Sequence, residues 1–212
     1  MTTDPYHTTP RLYTSLALAM GQSILLQDDQ CHYLKHVLRR EEGDMIRVFQ
    51  ERDGEWLAIL SPHGKKSFVA TPQRLLRSAD ITRPEIHLFF SPIKKDRNDM
   101  LIEKSVELGA THLHPVLCAR TCVRDIKPDR LSAQMIEAAE QCERLDVPAL
   151  SPFMDIKKAV SAWDKTFPVF AAIERSMQTT PLFSALSLIQ PSPVYGLIIG
   201  PEGGFSTEEV NF

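Results

Sequence analysis

The chain has 212 residues, of which 43% are hydrophobic and 24% charged, and its formal net charge is −3. That is an ordinary globular mixture with length enough for two cores. No run reaches the ~18 uncharged apolar residues of a membrane span, and the start MTTDPYHTTP lacks a signal-peptide core, so no membrane and a cytoplasmic location are expected.

Residues 11–80 read as short strands. The apolar runs SILL (23–26), MIRVF (45–49), WLAIL (56–60) and SFVAT (67–71) are separated by the turn sequences EEGD, RDGE and SPHGKK. One helix, from about Asp29 to Arg39, interrupts them. Several short strands joined by hairpin turns predict a small barrel, and RSADITRPE (77–85) reads as the hinge to a second domain.

From Ile86 the rhythm changes to strands alternating with helices. The expected order is strand IHLFF (86–90), a helix over Arg97–Leu108, strand HLHPVL (112–117), a long helix over Pro128–Arg144, then strands PVFAAI (168–173) and VYGLIIG (194–200). This alternation predicts a parallel α/β sheet. The fold class is therefore α/β with a small β domain, divided into residues 1–80 and 81–212. On the long helix Leu131, Met135, Ala138 and Cys142 share one face. Gln134, Glu137, Gln141 and Arg144 form a polar stripe, which either faces a site or is solvated.

Charge is uneven along the chain. Residues 31–130 hold 18 of the 24 Lys and Arg against 14 acids, whereas residues 131–212 hold five against ten. A basic middle suits a local anionic partner, although ordinary solvated charge reads the same way.

Four cysteines, Cys31, Cys118, Cys122 and Cys142, are few and irregularly spaced, which predicts reduced thiols. His112, His114, Cys118 and Cys122 match no common zinc spacing, and His32 and His36 lack the glutamate of a helical zinc pair. No metal is expected.

The stretch LIIGPEGGFSTEEV (197–210) carries the clearest chemistry. A strand that ends in a glycine turn at a helix start is where open α/β sheets bind ligands. Ser206 and Glu209 form a capping box that fixes where the helix begins. The Walker and Rossmann glycine patterns are both absent, and Glu202 would repel a phosphate. The loop suits a neutral or cationic ligand whose edge approaches bare backbone at Gly203 and Gly204. A tight turn without a ligand is the other reading.

IIGPEGGFSTEE (198–209) also resembles the cofactor loop of the RsmE family, the small-subunit ribosomal RNA uridine-N3 methyltransferases of the SPOUT superfamily. Three further stretches resemble that family in the same order: HYLKHVLRREEGD (32–44), KKDRNDMLIEKSVELGATHLHPVLCARTCVR (94–124) and EAAEQCERLDVP (137–148). The resemblance covers residues 11–210. It implies an N-terminal PUA-like β-barrel that binds RNA and a C-terminal SPOUT domain with a trefoil knot, working as a homodimer on small-subunit ribosomal RNA in the 30S subunit.

The resemblance further implies S-adenosyl-L-methionine as cofactor, bound by Glu174, Ile199, Gly200, Pro201, Glu202, Gly203 and Gly204. Glu202 would pin the turn or favour the sulfonium charge. RNA contacts would come from Arg11, Arg39, Arg40, Lys94, Lys95, Arg97, Arg120, Arg124, Gln141 and Arg144. No general base is identified; Glu137 and Arg144 are the catalytic candidates, with a solvent base as the alternative. Ribose 2′-O-methylation and RNA binding without catalysis are the rival activities. Family members carry a further L-G-x-R-x-L-R-x-E-T-like stretch that threads the knot. That motif is not found here, so part of the knot and pocket is expected to be missing from the chain.

Overall fold

The structure is a computed structural model that describes residues 5–65, 67–79, 82–174 and 180–212. Two compact units emerge, Met1–Ile81 with Ala139–Asp146, and Thr82–Ala138 with Val147–Phe212. The expected hinge at 77–85 spans residues 80 and 81, which lie outside the described residues.

The first unit contains β1 (Arg11–Tyr13), β2 (Ile24–Leu25), α1 (Asp28–His32), β3 (Met45–Gln50), β4 (Gly54–His63) and β5 (Ser67–Arg77). Its five strands form one sheet in the order β1-β3-β4-β5-β2. The antiparallel meander β3–β4–β5 pairs Ile46 with Ala58 and Leu60 with Ala70, so the alternating apolar residues of the three strands face one core. Leu34, Cys31, Val48 and Phe68 complete it. Because β1 joins β3 in parallel, with Arg11 opposite Arg47, two arginines are carried side by side into the interior.

Those arginines surround Glu55, whose side chain is 1% exposed. Arg11 Nε donates to Glu55 Oε1 at 3.0 Å, Arg47 Nη1 lies 3.3 Å from the same oxygen, and Arg77 Nε donates to Oε2 at 2.7 Å. Burial pulls the Arg11 guanidinium below its ordinary value, and Glu55 opposes the shift. A charge so removed from water persists only where it is paired and hydrogen-bonded.

α1 starts on a reciprocal cap between Gln27 and Gln30 and continues as a wider π-type turn over Tyr33–Val37. Arg39 then adopts φ 53°, so the helix expected to run to Arg39 stops earlier.

The second unit contains β6 (Glu85–Phe90), α2 (Lys95–Glu107), β7 (His112–Leu117), α3 (Pro128–Gln141) up to Ala138, β8 (Ala149–Leu150), β9 (Met154–Asp155), α4 (Ile156–Ser161), β10 (Val169–Ala172), α5 (Leu182–Leu186), β11 (Val194–Ile199) and α6 (Thr207–Val210). The strands pair in parallel in the order β10-β11-β6-β7-β8, with β9 also on β7. Ile198, Phe89 and Val116 pack with Ile156 and Ala159 of α4, while Leu88, Phe90 and Leu113 are buried as well. Leu88, Phe89 and Phe90 are all buried, so both faces of the C-terminal half of β6 are covered, and that half reads as consecutive apolar residues.

α3 ends at Gln141, and Glu143 has φ 60°. Arg144 therefore leaves the expected polar stripe, and residues 139–146 group with the first unit. Among the described residues, no helix is long and apolar enough to cross a membrane.

Candidate cofactor pocket and RNA-facing residues

β11 lies between β10 and β6, and its end at Ile199 is fixed by Ser91 N–H donating to the Ile199 carbonyl at 3.1 Å. The chain then turns sharply: Gly204 N–H donates to the Pro201 carbonyl at 2.8 Å, with Gly204 in the left-handed region at φ 71°. Ser206 caps α6 by accepting from Glu209 N–H at 3.3 Å, and Glu209 Oε2 accepts from Ser206 N–H at 2.7 Å. The expected capping box is present. Glu209 also accepts, through Oε1, from Ala119 N–H at 2.7 Å, which ties α6 to the turn after β7.

That turn is itself fixed. Thr121 Oγ1 accepts from Cys118 N–H at 2.8 Å and shares a 2.7 Å hydrogen bond with Ser91 Oγ, in a buried setting. Burial, with Glu209 nearby, pushes the Cys118 thiol up to about 11. The turn delivers Arg120 to the glycine loop, where Nη1 donates to the Gly203 carbonyl at 2.7 Å. The aliphatic part of Arg120 lies over Gly203, 3.3 Å from where a Cβ would stand.

The pocket beside this loop has a volume of about 690 Å³, within the ordinary range for a small-molecule site. Glu174 and the whole stretch Ile199–Gly204, every residue expected to hold the cofactor, line it. Sequence reasoning missed Ala172, Ile173, Phe205, Thr207 and Val210 in the wall. The signal for Ala172 and Ile173 was their position at the end of the neighbouring strand. Two carboxylates, one guanidinium and uncovered main chain suit a ligand with a cationic centre and a hydrogen-bonding edge.

A profile of the RNA methyltransferase domain matches residues 81–212, and an RNA methyltransferase PUA domain profile matches residues 26–73. The chain belongs to the RNA methyltransferase family. It is 29% identical over 201 residues to a protein named ribosomal RNA small subunit methyltransferase E from Rickettsia conorii, covering 94% of this chain and 81% of that one. The Synechocystis protein of the same name is 27% identical over 207 residues, covering 95% and 66%.

Among solved structures, the Neisseria gonorrhoeae ribosomal RNA small subunit methyltransferase E bound to S-adenosyl methionine superposes with a TM-score of 0.81 at 27% identity. A putative methyltransferase from Legionella pneumophila, also in complex with that cofactor, gives 0.77 at 27% identity. Both alignments cover 96% of this chain and 84% of the other. The RsmE resemblance carried by the four motifs therefore holds.

The residues expected to face RNA separate into two groups. Lys94, Lys95 and Arg97 are exposed at the start of α2, Arg124 is exposed beyond β7, and Arg39 and Gln141 are exposed. Arg40 is partly exposed and lies 4.0 Å from Asp44. Arg11 must be corrected. Its side chain is 3% exposed, with its donors on Glu55 and on the carbonyls of Ala139, Glu140 and Arg144. Arg144 must be corrected too: its side chain is 9% exposed and pairs with Asp146 at 2.6 Å. Both arginines serve the interior of the first unit, where guanidinium groups satisfy carbonyls and carboxylates that water cannot reach. Glu137, the other catalytic candidate, is exposed on α3 and is not among the pocket-lining residues.

The quartet His112, His114, Cys118 and Cys122 does not assemble into a metal-sized group among the described residues. Cys118 is buried, Cys122 is exposed, and Cys122 Sγ contacts the Arg120 carbonyl at 3.9 Å.

Proposed function

We propose that this protein transfers a methyl group from S-adenosylmethionine to N3 of a uridine in small-subunit ribosomal RNA. The observation that carries the reading is the pocket of about 690 Å³, lined by Glu174 and Ile199–Gly204. Family membership and two cofactor-bound structural neighbours support it. The fit is chemical. At Gly204 a Cβ would meet nothing within 4 Å, so the main chain there is open to the adenine edge, and Glu174 and Glu202 favour a sulfonium over an anion.

When bound, the cofactor supplies an electrophilic methyl carbon on a sulfonium. Uridine N3 must lose its imide proton and present its lone pair in line with the methyl–sulfur bond. The cofactor would supply the methyl group and leave as a neutral thioether, while the imide proton of uridine N3 would pass to solvent. We assign no side chain as general base, since Glu137 lies outside the pocket lining. The work of this chain is positioning, which by itself supplies a large share of a barrier reduction. Arg120 fixes the Gly203 carbonyl, while Ser91, Thr121 and Glu209 fix the turn that carries Arg120. The uridine would be presented unstacked.

Phosphate contacts are assigned to Arg39, Arg40, Lys94, Lys95, Arg97, Arg120 and Arg124, with Gln141 near the RNA. The SPOUT trefoil knot, a homodimer, the assembled 30S subunit as substrate and a cytoplasmic location belong to the same reading. Calorimetric titration with S-adenosylmethionine, followed by methyl transfer to purified small subunits, tests it. Absence of both would reject it.

A further inference from the structure

At the opposite end of the same sheet, away from the pocket, three histidines meet. β6 and β7 pair in parallel with His87 opposite His112 and Phe89 opposite His114, so all four side chains share one face. The His87 and His112 rings stack with centroids 4.0 Å apart and planes 6° apart. His114 stacks on Phe89 at 4.4 Å, and Trp163 meets His87 edge-on at 5.1 Å. Glu85 and His112 open their strands, whereas the methyl-transfer pocket gathers beyond the strands' far ends. Methyl transfer uses none of these groups.

Each of two rings has one nitrogen committed. The Thr111 hydroxyl lies 3.1 Å from the Ile86 carbonyl and 3.0 Å from His112 Nδ1; with its hydrogen on the carbonyl, His112 Nδ1 donates to the hydroxyl and Nε2 carries the lone pair. His87 Nδ1 lies 2.9 Å from His114 Nε2. When His87 Nδ1 donates there, His87 Nε2 turns a lone pair toward Glu85 Oε2 at 3.3 Å. In that tautomer a cation between the two atoms relieves their repulsion; in the other, His114 donates to His87 Nδ1 and the His87 Nε2 proton bonds Glu85. Metal-binding histidines have the same arrangement, in which the second ring nitrogen donates to a fixed acceptor and sets the tautomer.

One ligand atom from each of Glu85, His87 and His112 lies within 4.8 Å of the other two. Zinc-type ions sit ~2.0–2.2 Å from nitrogen and oxygen ligands, which places tetrahedral ligand atoms roughly 3.3 Å apart. The Glu85 side chain is 57% exposed and free to turn, and an ion at this position requires the two stacked rings to splay apart by side-chain torsion.

We propose that Glu85, His87 and His112 form a binding site for a divalent transition-metal ion of the zinc type, with water completing the coordination. Imidazole with carboxylate selects such ions, whereas calcium and magnesium take oxygen ligands. The bound ion clamps the start of β6 to the start of β7. The competing occupant of the same position is a proton on His87 Nε2, shared with Glu85.

Chelator-stripped full chain, titrated with zinc chloride in a calorimeter and with cobalt(II) by visible absorption, tests the site. The expected result is one saturable equivalent per chain. Glu85→Gln and His112→Asn should each weaken binding by about tenfold or more, with unchanged circular dichroism. His32→Asn and Cys122→Ser, which alter the other histidine pair and an exposed thiol, should leave the affinity as it is. Absence of a saturable equivalent would overturn the proposal and leave the proton as occupant. Binding that survives Glu85→Gln, or that is lost with His32 or Cys122, would overturn it as well. Should His112→Asn fail to fold, the exposed Glu85 decides alone.

Discussion

Gly200 and Phe205 touch across the loop after β11: a Cβ at position 200 would stand 2.9 Å from two atoms of the Phe205 ring. The strand end and the residue that enters α6 are thus packed through a position with no side chain. This contact sets the shape of the pocket wall, since both residues line it. Gly200→Ala should push the ring aside and weaken S-adenosylmethionine binding, measured by calorimetry, while leaving the far-ultraviolet circular dichroism unchanged.

Gly204 answers to a different constraint. Its φ of 71° is left-handed, and a β-branched residue held there costs roughly 1–3 kcal/mol. Gly204→Val should therefore distort the turn and reduce cofactor affinity by about tenfold or more. At Gly203, where a Cβ meets the Arg120 chain at 3.3 Å, valine should act by displacing Arg120. Unchanged affinity in both variants would separate the loop from cofactor binding.

The Glu55 cluster predicts a stability effect far from the pocket. Replacing Glu55 with Gln leaves Arg11 and Arg47 buried, with side chains 3% and 5% exposed, and without their shared carboxylate. Breaking a buried pair on one side costs about 3–5 kcal/mol, readable as a lowered denaturant midpoint. Glu107→Gln, which removes a surface partner of Lys104, should leave that midpoint where it is.

RNA affinity should divide along the same line between outward and inward arginines and lysines. Lys94→Ala with Lys95→Ala should flatten the slope of log K against log salt by roughly 0.7–0.9 per lost phosphate contact. A slope that stays put, with normal methyl transfer, would remove both lysines from the RNA surface.

The cysteines give a prediction in pH. The Cys118 thiol, pushed up to about 11 from 9.0 by burial, should resist alkylation at pH 8, whereas exposed Cys122 reacts. A thiol whose folded value is raised stays protonated in the fold while the unfolded chain ionises. Its contribution is intact below about pH 9 and declines between about 9 and 11, so Cys118→Ala should flatten the stability profile over that window.

Much of the second unit was legible in the sequence. The period of β6, β7 and β11 and the capping box at Ser206 and Glu209 are local signals, and the structure keeps them. The glycine loop was legible as a turn at a strand end for the same reason, since its residues are adjacent in the chain, and it lines a pocket in the structure. What escaped were relationships that only folding creates. Arg11 reads as an exposed cation until β1 pairs with β3 and carries it against Glu55, 44 positions away. Arg144 reads as the last rung of a helical stripe until Glu143 takes a positive φ and ends the periodicity. The histidines at 87 and 112 look like ordinary strand residues until parallel pairing sets them in register.

The central claim is the pairing of this pocket with a uridine N3 acceptor. Small subunits purified from cells lacking the enzyme, incubated with this protein and S-adenosylmethionine labelled in the methyl group, test it most directly once the ribosomal RNA is digested to nucleosides. The account predicts label in a single nucleoside, N3-methyluridine, and its loss with Gly204→Val. Label in a 2′-O-methylated nucleoside, or RNA binding without any transfer, would contradict it.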